Sequence, residues 1–486
     1  LCSEAVFLRR AYLDVIGTLP TAEEAGAFLA DQAPDKRSTL VDRLLERDEF
    51  ADYWAMKWSD VLRVKSEFPI NLWPNAVQAY HRWIRTSIRD NAPYDRFVRE
   101  LLTASGSNFR VPPVNFYRAV QNRTPQAIAT AVALTFMGAR AENWPKDRLS
   151  NMAVFFSQIG YKPTGEWKEE IVFFDPDKAA APQGQAEAGS GAGAARAPGA
   201  AGASRVAVFP DGTTIRLLAG QDPREVFATW LVAPSNPWFA PSVVNRIWFW
   251  LLGRAVVHEP DDIRPDNPPS NPELLAYLER ELVASRCDLR HLYRLILNST
   301  TYQLSFIPAT DRPEGETNFS HALLRPLDAE VLVDALCQIT GTSEQYSSAI
   351  PEPYTFVPPD RRSIALADAS VSSTFLETFG RPPRDTGLAL ERNNRPTPAQ
   401  RLYLLNSSDV QRKLQQSVKL AALIQTSGNL RQMSASLYLT ILSRFPTEDE
   451  LKIVGTYAQT AGGNRRVTAL DLAWALINSA EFCYRH

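Results

Sequence analysis

The chain has 486 residues, 45% hydrophobic and 22% charged, with 52 basic and 54 acidic side chains for a net charge of −2. That length suits two to four domains of ~150 residues each, and the composition is that of a globular protein. The near-zero balance excludes a standing basic field for nucleic acid or an anionic membrane, and no apolar run reaches the ~20 residues that span a bilayer.

The first ~160 residues, counted against the usual helix lengths, read as helix after helix. EAVFLRRAYLDVI carries apolar side chains at helical spacing, from Val6 and Phe7 to Leu13 and Ile16. Thr21 then fits an N-cap and Glu24 the N3 position of a capping box, so a second helix starts there. Further helices are expected near 36–46, 51–64, 73–90, 93–103 and 124–137, and LSNMAVFFSQIG predicts another.

The pattern changes at Trp167. EEIVFFDPD and SRVAVFPDGTTIRLL are rich in β-branched and aromatic residues, and Asp211-Gly212 predicts a hairpin turn between 205–209 and 213–218. The Ala/Gly-rich stretch between them, 178–204, has no large apolar side chain and is expected to be a flexible insertion within a small sheet. Helical patterning resumes at Asp222. Asn271-Pro272 and Thr397-Pro398 mark clean helix starts, and the Pro-rich segment 345–362 reads as irregular. VVNRIWFWLLGRAVV, broken by Asn245, Arg246 and Arg254, reads as a buried helix.

YLDVIGTLPTAEE at 12–24 echoes YLTILSRFPTEDE at 438–450, and LLERDEF at 44–50 echoes LINSAEF at 476–482. A repeated helical hairpin and a chance likeness of capped helices both fit. The expected fold is mainly α, multi-helical and two-domain, with units at 1–165 and 222–486 and a small β element, within 166–221, at about 167–218.

Two polar segments stand out. EPDDIRPDNPPSNP is too rich in proline and carboxylate to continue a helix or enter a core. Its Glu259, Asp261, Asp262, Asp266 and Asn267 supply hard oxygens suited to calcium, although their spacing is not that of an EF-hand, and turns with Arg264 pairing one carboxylate fit equally. FGRPPRDTGLALERNNRPT gathers Arg381, Arg384, Arg392 and Arg395 with Asp385 and Glu391. Guanidinium forks suit sulfate, phosphate or carboxylate, and a buried ion-pair network is the alternative. Complementary charge predicts that the segments converge, with Asp261, Asp262 or Arg264 beside Arg381, Arg384, Glu391 or Arg392. A structural centre would have its carboxylates saturated, whereas a site would expose an unpaired group.

The five histidines, His81, His258, His291, His321 and His486, are isolated, which argues against a sequence-local metal site. No Gly-X-Ser-X-Gly elbow accompanies Ser105-Gly106-Ser107 or Ser370–Ser373. Trp54, Trp58, Trp73 and Trp83 suit helix packing, with a carbohydrate platform as the alternative. Cys2, Cys287, Cys337 and Cys483 lie far apart with no Cys-X-X-Cys, and either one or two disulfides or lone thiols fit. The chain opens on Leu1 with no charged or apolar leader pattern and reads as an excerpt or a processed form, so its start carries nothing about compartment.

FLRRAYLDVIGTLPTAEEAGAFLAD and LVDRLLERDEFADYWAMKWSDVLRV resemble the planctomycete cytochrome-like domain of the second type. NPWFAPSVVNRIWFWLLGR, DDIRPDNPPSNPELL, RPLDAEVLVDAL, FGRPPRDTGLALERNNRPTPAQRLYLLN and INSAEFCYRH resemble its companion domain of unknown function. The resemblance implies export to the periplasm or cell surface and a co-encoded sulfatase- or phosphatase-like partner. Many relatives carry a Cys-X-X-Cys-His haem motif between the flanks that appear here as Gly138-Ala139-Arg140 and Asn143-Trp144-Pro145, and this chain lacks it. No cofactor and no covalent haem is therefore expected, with calcium at 259–262 the one open candidate. The functional expectation is an exported, non-enzymatic binding or scaffold protein, with polysaccharide or that partner as ligand. The alternatives are a hydrolase or lyase acting on (sulfated) polysaccharide through the cluster 381–395, and an electron-transfer component that uses a partner's haem.

Overall fold

The computed structural model describes residues 1–178, 205–308, 314–392 and 395–486, so the expected flexible insertion lies, but for Lys178, outside the described residues. The protein is mainly α and multi-helical. In the first half the helices are α1 Glu4–Val15, α2 Ala22–Ala30, α3 Lys36–Leu45, α4 Asp48–Val61, α5 Pro74–Arg89, α6 Tyr94–Thr103, α7 Asn115–Arg118, α8 Pro125–Met137 and α9 Lys146–Ala153. After the β-rich interval come α10 Pro223–Leu231, α11 Phe239–Leu252, α12 Pro272–Ala284, α13 Leu289–Asn298, α14 Ala329–Thr340 and α15 Thr374–Thr378. The C-terminal run is α16 Pro398–Asn406, α17 Ser408–Gln415, α18 Val418–Thr426, α19 Leu430–Leu442, α20 Glu448–Thr460, α21 Arg465–Ile477 and α22 Ala480–Cys483.

Local chemistry places these ends. Thr21 and Glu24 exchange side-chain-to-backbone hydrogen bonds of 3.1 and 2.8 Å, and Thr397 with Gln400 forms the same box. Asn271 caps α12 through Leu274 N. The helix expected through Gly160 stops early. α9 tightens into a 3-10 turn at Val154–Phe156, and Ile159 already begins a strand, because Ile159, Tyr161 and their neighbours pair with the β-prone run 170–174. Strands β1 Gly106–Ser107, β2 Ile159–Pro163 and β3 Glu170–Phe174 make an antiparallel sheet in the order β1-β3-β2. β4 Arg205–Val208 and β5 Thr214–Leu217 form the expected hairpin, with Gly212 at φ +88° in its turn. β6 Arg325–Pro326 pairs with β7 Tyr484–Arg485 near the C-terminus.

The sequence echo is structural. α1-α2 and α19-α20 start at equivalent residues, with α20 running four residues further than α2, and Gly17 (φ +58°) and Ser443 (φ +60°) turn the chain at the same point. Thr447 and Glu450 repeat the capping box of Thr21 and Glu24. In the first copy Arg47 bonds Glu24 and Glu49 and lies over the ring of Tyr12. In the second, Arg444 bonds Glu450 and Glu481 and lies over Tyr438. The two arginines come from non-equivalent positions, after α3 in one copy and after α19 in the other, yet bridge equivalent carboxylates. The copies also touch, since the buried Arg9 guanidinium donates to Ile441 O and Phe482 O at 2.8 and 3.0 Å.

Buried apolar residues form one connected core from Cys2 to Phe482. Its centre is an aromatic lattice in which Trp54 meets Tyr293 at 4.3 Å and Trp250 at 5.7 Å, and Tyr94 stacks on Phe239 at 5.2 Å. Such ring pairs add ~0.5–1.5 kcal/mol each beyond the area they bury. Segments 1–165 and 222–486 therefore share side-chain packing throughout, and α4 is the wedge between them. No helix among the described residues is long and apolar enough to cross a membrane.

Candidate functional site

α4 is buried on almost every side from Phe50 to Val61, which leaves Lys57 and Asp60 no route to solvent. Buried charges must be paired and hydrogen-bonded. Asp60 meets two guanidiniums. Arg384 Nε donates to its Oδ1 at 2.8 Å, and Arg392 Nη2 to its Oδ2 at 2.9 Å. Arg392 also grips Glu330 at the start of α14, Nη1 to Oε2 at 2.6 Å and Nη2 to Oε1 at 3.1 Å. Arg381 lies 3.4 Å from the same Glu330 and donates to Asp368 O at 3.0 Å and to Val371 O.

Asp328, just before α14, continues the network. Lys57 Nζ and Arg485 Nη2 reach its Oδ2 at 2.8 and 2.9 Å, and Arg485 Nε lies 3.0 Å from Asp14. Arg325 and the Tyr302 hydroxyl also converge on Asp14. Burial alone would push the Asp328 carboxyl upward, but Lys57, Arg485 and Arg392 outweigh it and hold it well below the usual carboxylate range. Burial lowers Lys57 to about 8, and the neighbouring Arg392 and Arg485 push the same way against the attraction of Asp328. Glu330 is lowered too, Arg392 overcoming its burial.

The loop that carries these arginines sits tightly on α4. Gly387 has φ +75°, and a Cβ there would stand 2.8 Å from Val61 O, so only glycine fits. Glu391 turns inward on its own loop, accepting from Asp385 N at 2.8 Å and from the Thr386 hydroxyl at 2.7 Å. Asp385 pairs with Lys65 at 2.7 Å.

The loop 259–267 meets the arginine loop where Asp261 Oδ2 accepts from Ala389 N at 2.6 Å. The cation beside Asp261 is a different one from those expected. Arg246 of α11 donates to its Oδ1 at 2.8 Å and also holds Thr135 O. Asp262 and Asp266 pair with the half-exposed Arg264 at 3.0 and 2.7 Å, Glu259 pairs with Arg140, and Asn267 donates to Asp262 O. Thus Glu259, Asp261 and Asp262 turn to three different arginines. No group of three or more metal-ligating side chains gathers among the described residues.

The reading from sequence missed Lys57, Asp60, Asp328, Glu330 and Arg485. A helix hydrophobic all round yet carrying Lys57 and Asp60 was the available signal, because such charges are stable only with partners. Arg485 and Asp14 gave none, since their meeting depends on the pairing of β6 with β7 and on the two terminal repeats.

Away from this centre, one surface region exposes large rings. Trp73 meets Trp167 edge-on at 6.4 Å and Tyr354 at 5.3 Å, and Lys168 Nζ lies 5.3 Å from both indole rings. Trp167 is 68% exposed and Tyr354 49%. Phe356, in the same loop as Tyr354, is 66% exposed and lines a cavity of about 190 Å³ beside α5. A second cavity, of about 670 Å³, lies against α14, and Arg361 lines both.

Between the flanks where relatives carry the haem motif, the chain makes a single turn, Ala141–Asn143. All four cysteines are free, and none lies in this turn, so the residues present do not fit a thioether-linked haem. Residues 1–150 match PSCyt2, a protein of unknown function (DUF1549), and residues 223–458 match PSD1, a protein of unknown function (DUF1553). No curated protein and no solved structure matches the chain. The order of the two matches, over α1 to α9 and then α10 to α20, makes this chain a member of the family in which a planctomycete cytochrome-like domain of the second type precedes its companion domain of unknown function.

Proposed function

We propose that this protein is a non-enzymatic polysaccharide-binding protein that works outside the cytoplasm. The observation that carries the reading is the aromatic group in which the exposed Trp167 and Tyr354 flank the half-buried Trp73. Rings held against one another but left open to water present flat apolar faces, with polar rims, that suit the C–H faces of pyranose rings. The buried centre favours binding over chemistry. Arg381, Arg384 and Arg392 are all paired with Asp60, Glu330 and backbone carbonyls, and Glu391 with its own loop, so the cluster expected to serve a hydrolase or lyase is occupied in holding segments together. Support for export comes from the family.

The test is affinity electrophoresis in gels containing neutral and charged polysaccharides. The wild-type chain should be retarded, and Trp167→Ala with Tyr354→Ala should lose about tenfold in affinity, about 1.4 kcal/mol, with an unchanged melting temperature. A wild-type chain retarded by no polysaccharide, or a double variant retarded equally, would remove the reading.

A further inference from the structure

The cavity beside α5 combines three features that the aromatic group does not explain. It is walled by His81, Arg82 and Arg85 of α5 and, opposite, by Arg361 and Phe356. First, two of its guanidiniums are uncommitted, since neither Arg82 nor Arg361 makes a side-chain hydrogen bond or ion pair among the described residues. Arg85, by contrast, is engaged by Asp52 at 2.5 Å. Second, the carboxylates in the wall are already occupied. Asp52 holds Arg85, and Asp368 accepts from the backbone of Ser66 and Ser370 at 3.0 and 2.9 Å. Neither carboxylate forms an ion pair with Arg82 or Arg361 among the described residues, although the Asp368 carboxylate remains in the wall.

Third, His81 is 6% exposed and its Nε2 has no hydrogen-bond partner. A buried polar nitrogen left without a partner is destabilising, and a bound acceptor or donor would relieve it. Burial, with Arg384, Arg85 and Arg361 around it, lowers His81 to about 3, so the ring is neutral and serves as a hydrogen-bonding group.

From these features we infer that the cavity takes an oxyanion substituent, a sulfate ester or a carboxylate, carried by the polysaccharide. Arg82 and Arg361 offer it planar donor forks, and His81 offers a neutral third group. The inference rests on the polysaccharide reading, because Phe356 of the cavity and Tyr354 of the aromatic group stand on one loop. Tyr354 and Phe356 stand two residues apart, which ties the ring group to the cavity wall. A volume of about 190 Å³ accommodates one such substituent and excludes a whole chain. Arg361 also faces the larger cavity, but there the lining is of mixed charge, with Arg362 held by Asp334, so the oxyanion is assigned to the smaller cavity alone.

The test uses the intact chain and three probes on one backbone, dextran, dextran sulfate and carboxymethyl dextran, with sodium sulfate as the free ion, each titrated calorimetrically. At least one charged dextran should bind ten times or more tighter than dextran, and the preferred one names the substituent. Arg82→Gln with Arg361→Gln, both at exposed positions, should erase that preference and leave dextran affinity unchanged. Arg96→Gln, an exposed arginine on α6, should leave all affinities unchanged. Charged and neutral dextrans binding alike, or a double variant that keeps the preference, would overturn the oxyanion site and leave the polysaccharide reading standing. Sodium sulfate binding that the double variant abolishes, with no dextran bound, would overturn the saccharide part and with it the function proposed above.

Discussion

Replacing Arg392 by methionine tests whether the buried centre is a structural clamp. The side chain fills similar space but removes four charge-assisted hydrogen bonds, at 3.2 and 2.9 Å to Asp60 and at 2.6 and 3.1 Å to Glu330. Individually such bonds contribute ~1.5–3 kcal/mol, but they share one cation and do not add. Asp60 keeps Arg384, and Glu330 keeps Arg381 at 3.4 Å, so the loss belongs at the lower end of the ~3–5 kcal/mol expected when a buried pair is broken. The assay is urea unfolding followed by far-ultraviolet circular dichroism, with melting temperature as a second readout. The pH dependence supplies the sign. In the wild type Glu330 is held below its ordinary 4.5, so its contribution is complete above that value and declines as pH falls through the lowered one. Without Arg392 the chief cause opposing burial is gone and Glu330 moves upward, so the variant loses less stability than the wild type as pH falls. The gap between the two proteins should therefore be widest at neutral pH and narrow toward pH ~4.5. Glu330→Gln added to the variant should recover part of the loss. A single variant within about 1 kcal/mol of wild type, the range of an exposed pair, would refute the clamp.

Three further outcomes follow from the same geometry. Glu450 is held at about 2 chiefly by its hydrogen bond from Arg444, so its contribution is complete above 4.5 and lost between 4.5 and about 2. Glu450→Gln should accordingly flatten melting temperature against pH in that window, and an unchanged slope would contradict it. Arg444→Ala should destabilise by about 1 kcal/mol and Arg47→Ala by less, because Arg47 and Glu24 are the more exposed, and thermal melts showing the reverse order would contradict the equivalence of the two clamps. Asp261→Asn should lower stability by about 3 kcal/mol, because it leaves Arg246 buried without its carboxylate, and a urea midpoint equal to wild type would show that the contact is dispensable.

Local rules carried far in this chain. Helix starts at Thr21, Thr124, Asn271 and Thr397 were legible because a cap is a contact between near neighbours. The strand at Ile159–Pro163 was not, because VFFSQIG suits a helix equally and only pairing with β3 decides between them. The echo between the chain ends was visible as letters, but Arg47 and Arg444 show what letters miss. The clamp needs a guanidinium at a point in space, and the chain can deliver it from either of two connections. The meeting of 259–267 with 381–395 was anticipated from complementary charge, yet the bond that joins them is from a carboxylate to a backbone amide. Charge alone does not select among five or more buried arginines. Which one reaches Asp261 is set by α11, whose Arg246 lies on the face turned toward it.

The arginines fall into two sets, those fixed in the buried centre and those left uncommitted beside the cavity. Within the centre the desolvation of Asp60, Asp328 and Glu330 is large, and only several cations acting together offset it, so each guanidinium there is fixed by two or more acceptors. A ligand could take one only by breaking that set, at a loss greater than a single new ion pair returns. Arg82 and Arg361 carry no such burden. They remain in water, where a surface pair contributes ~0–1 kcal/mol, and they gain most from a partner that is itself anionic and brings ring contacts to the neighbouring Phe356. On the proposed reading, selectivity for a charged saccharide belongs to the rim of the molecule, while the richer cluster beneath it sets the shape on which that rim depends.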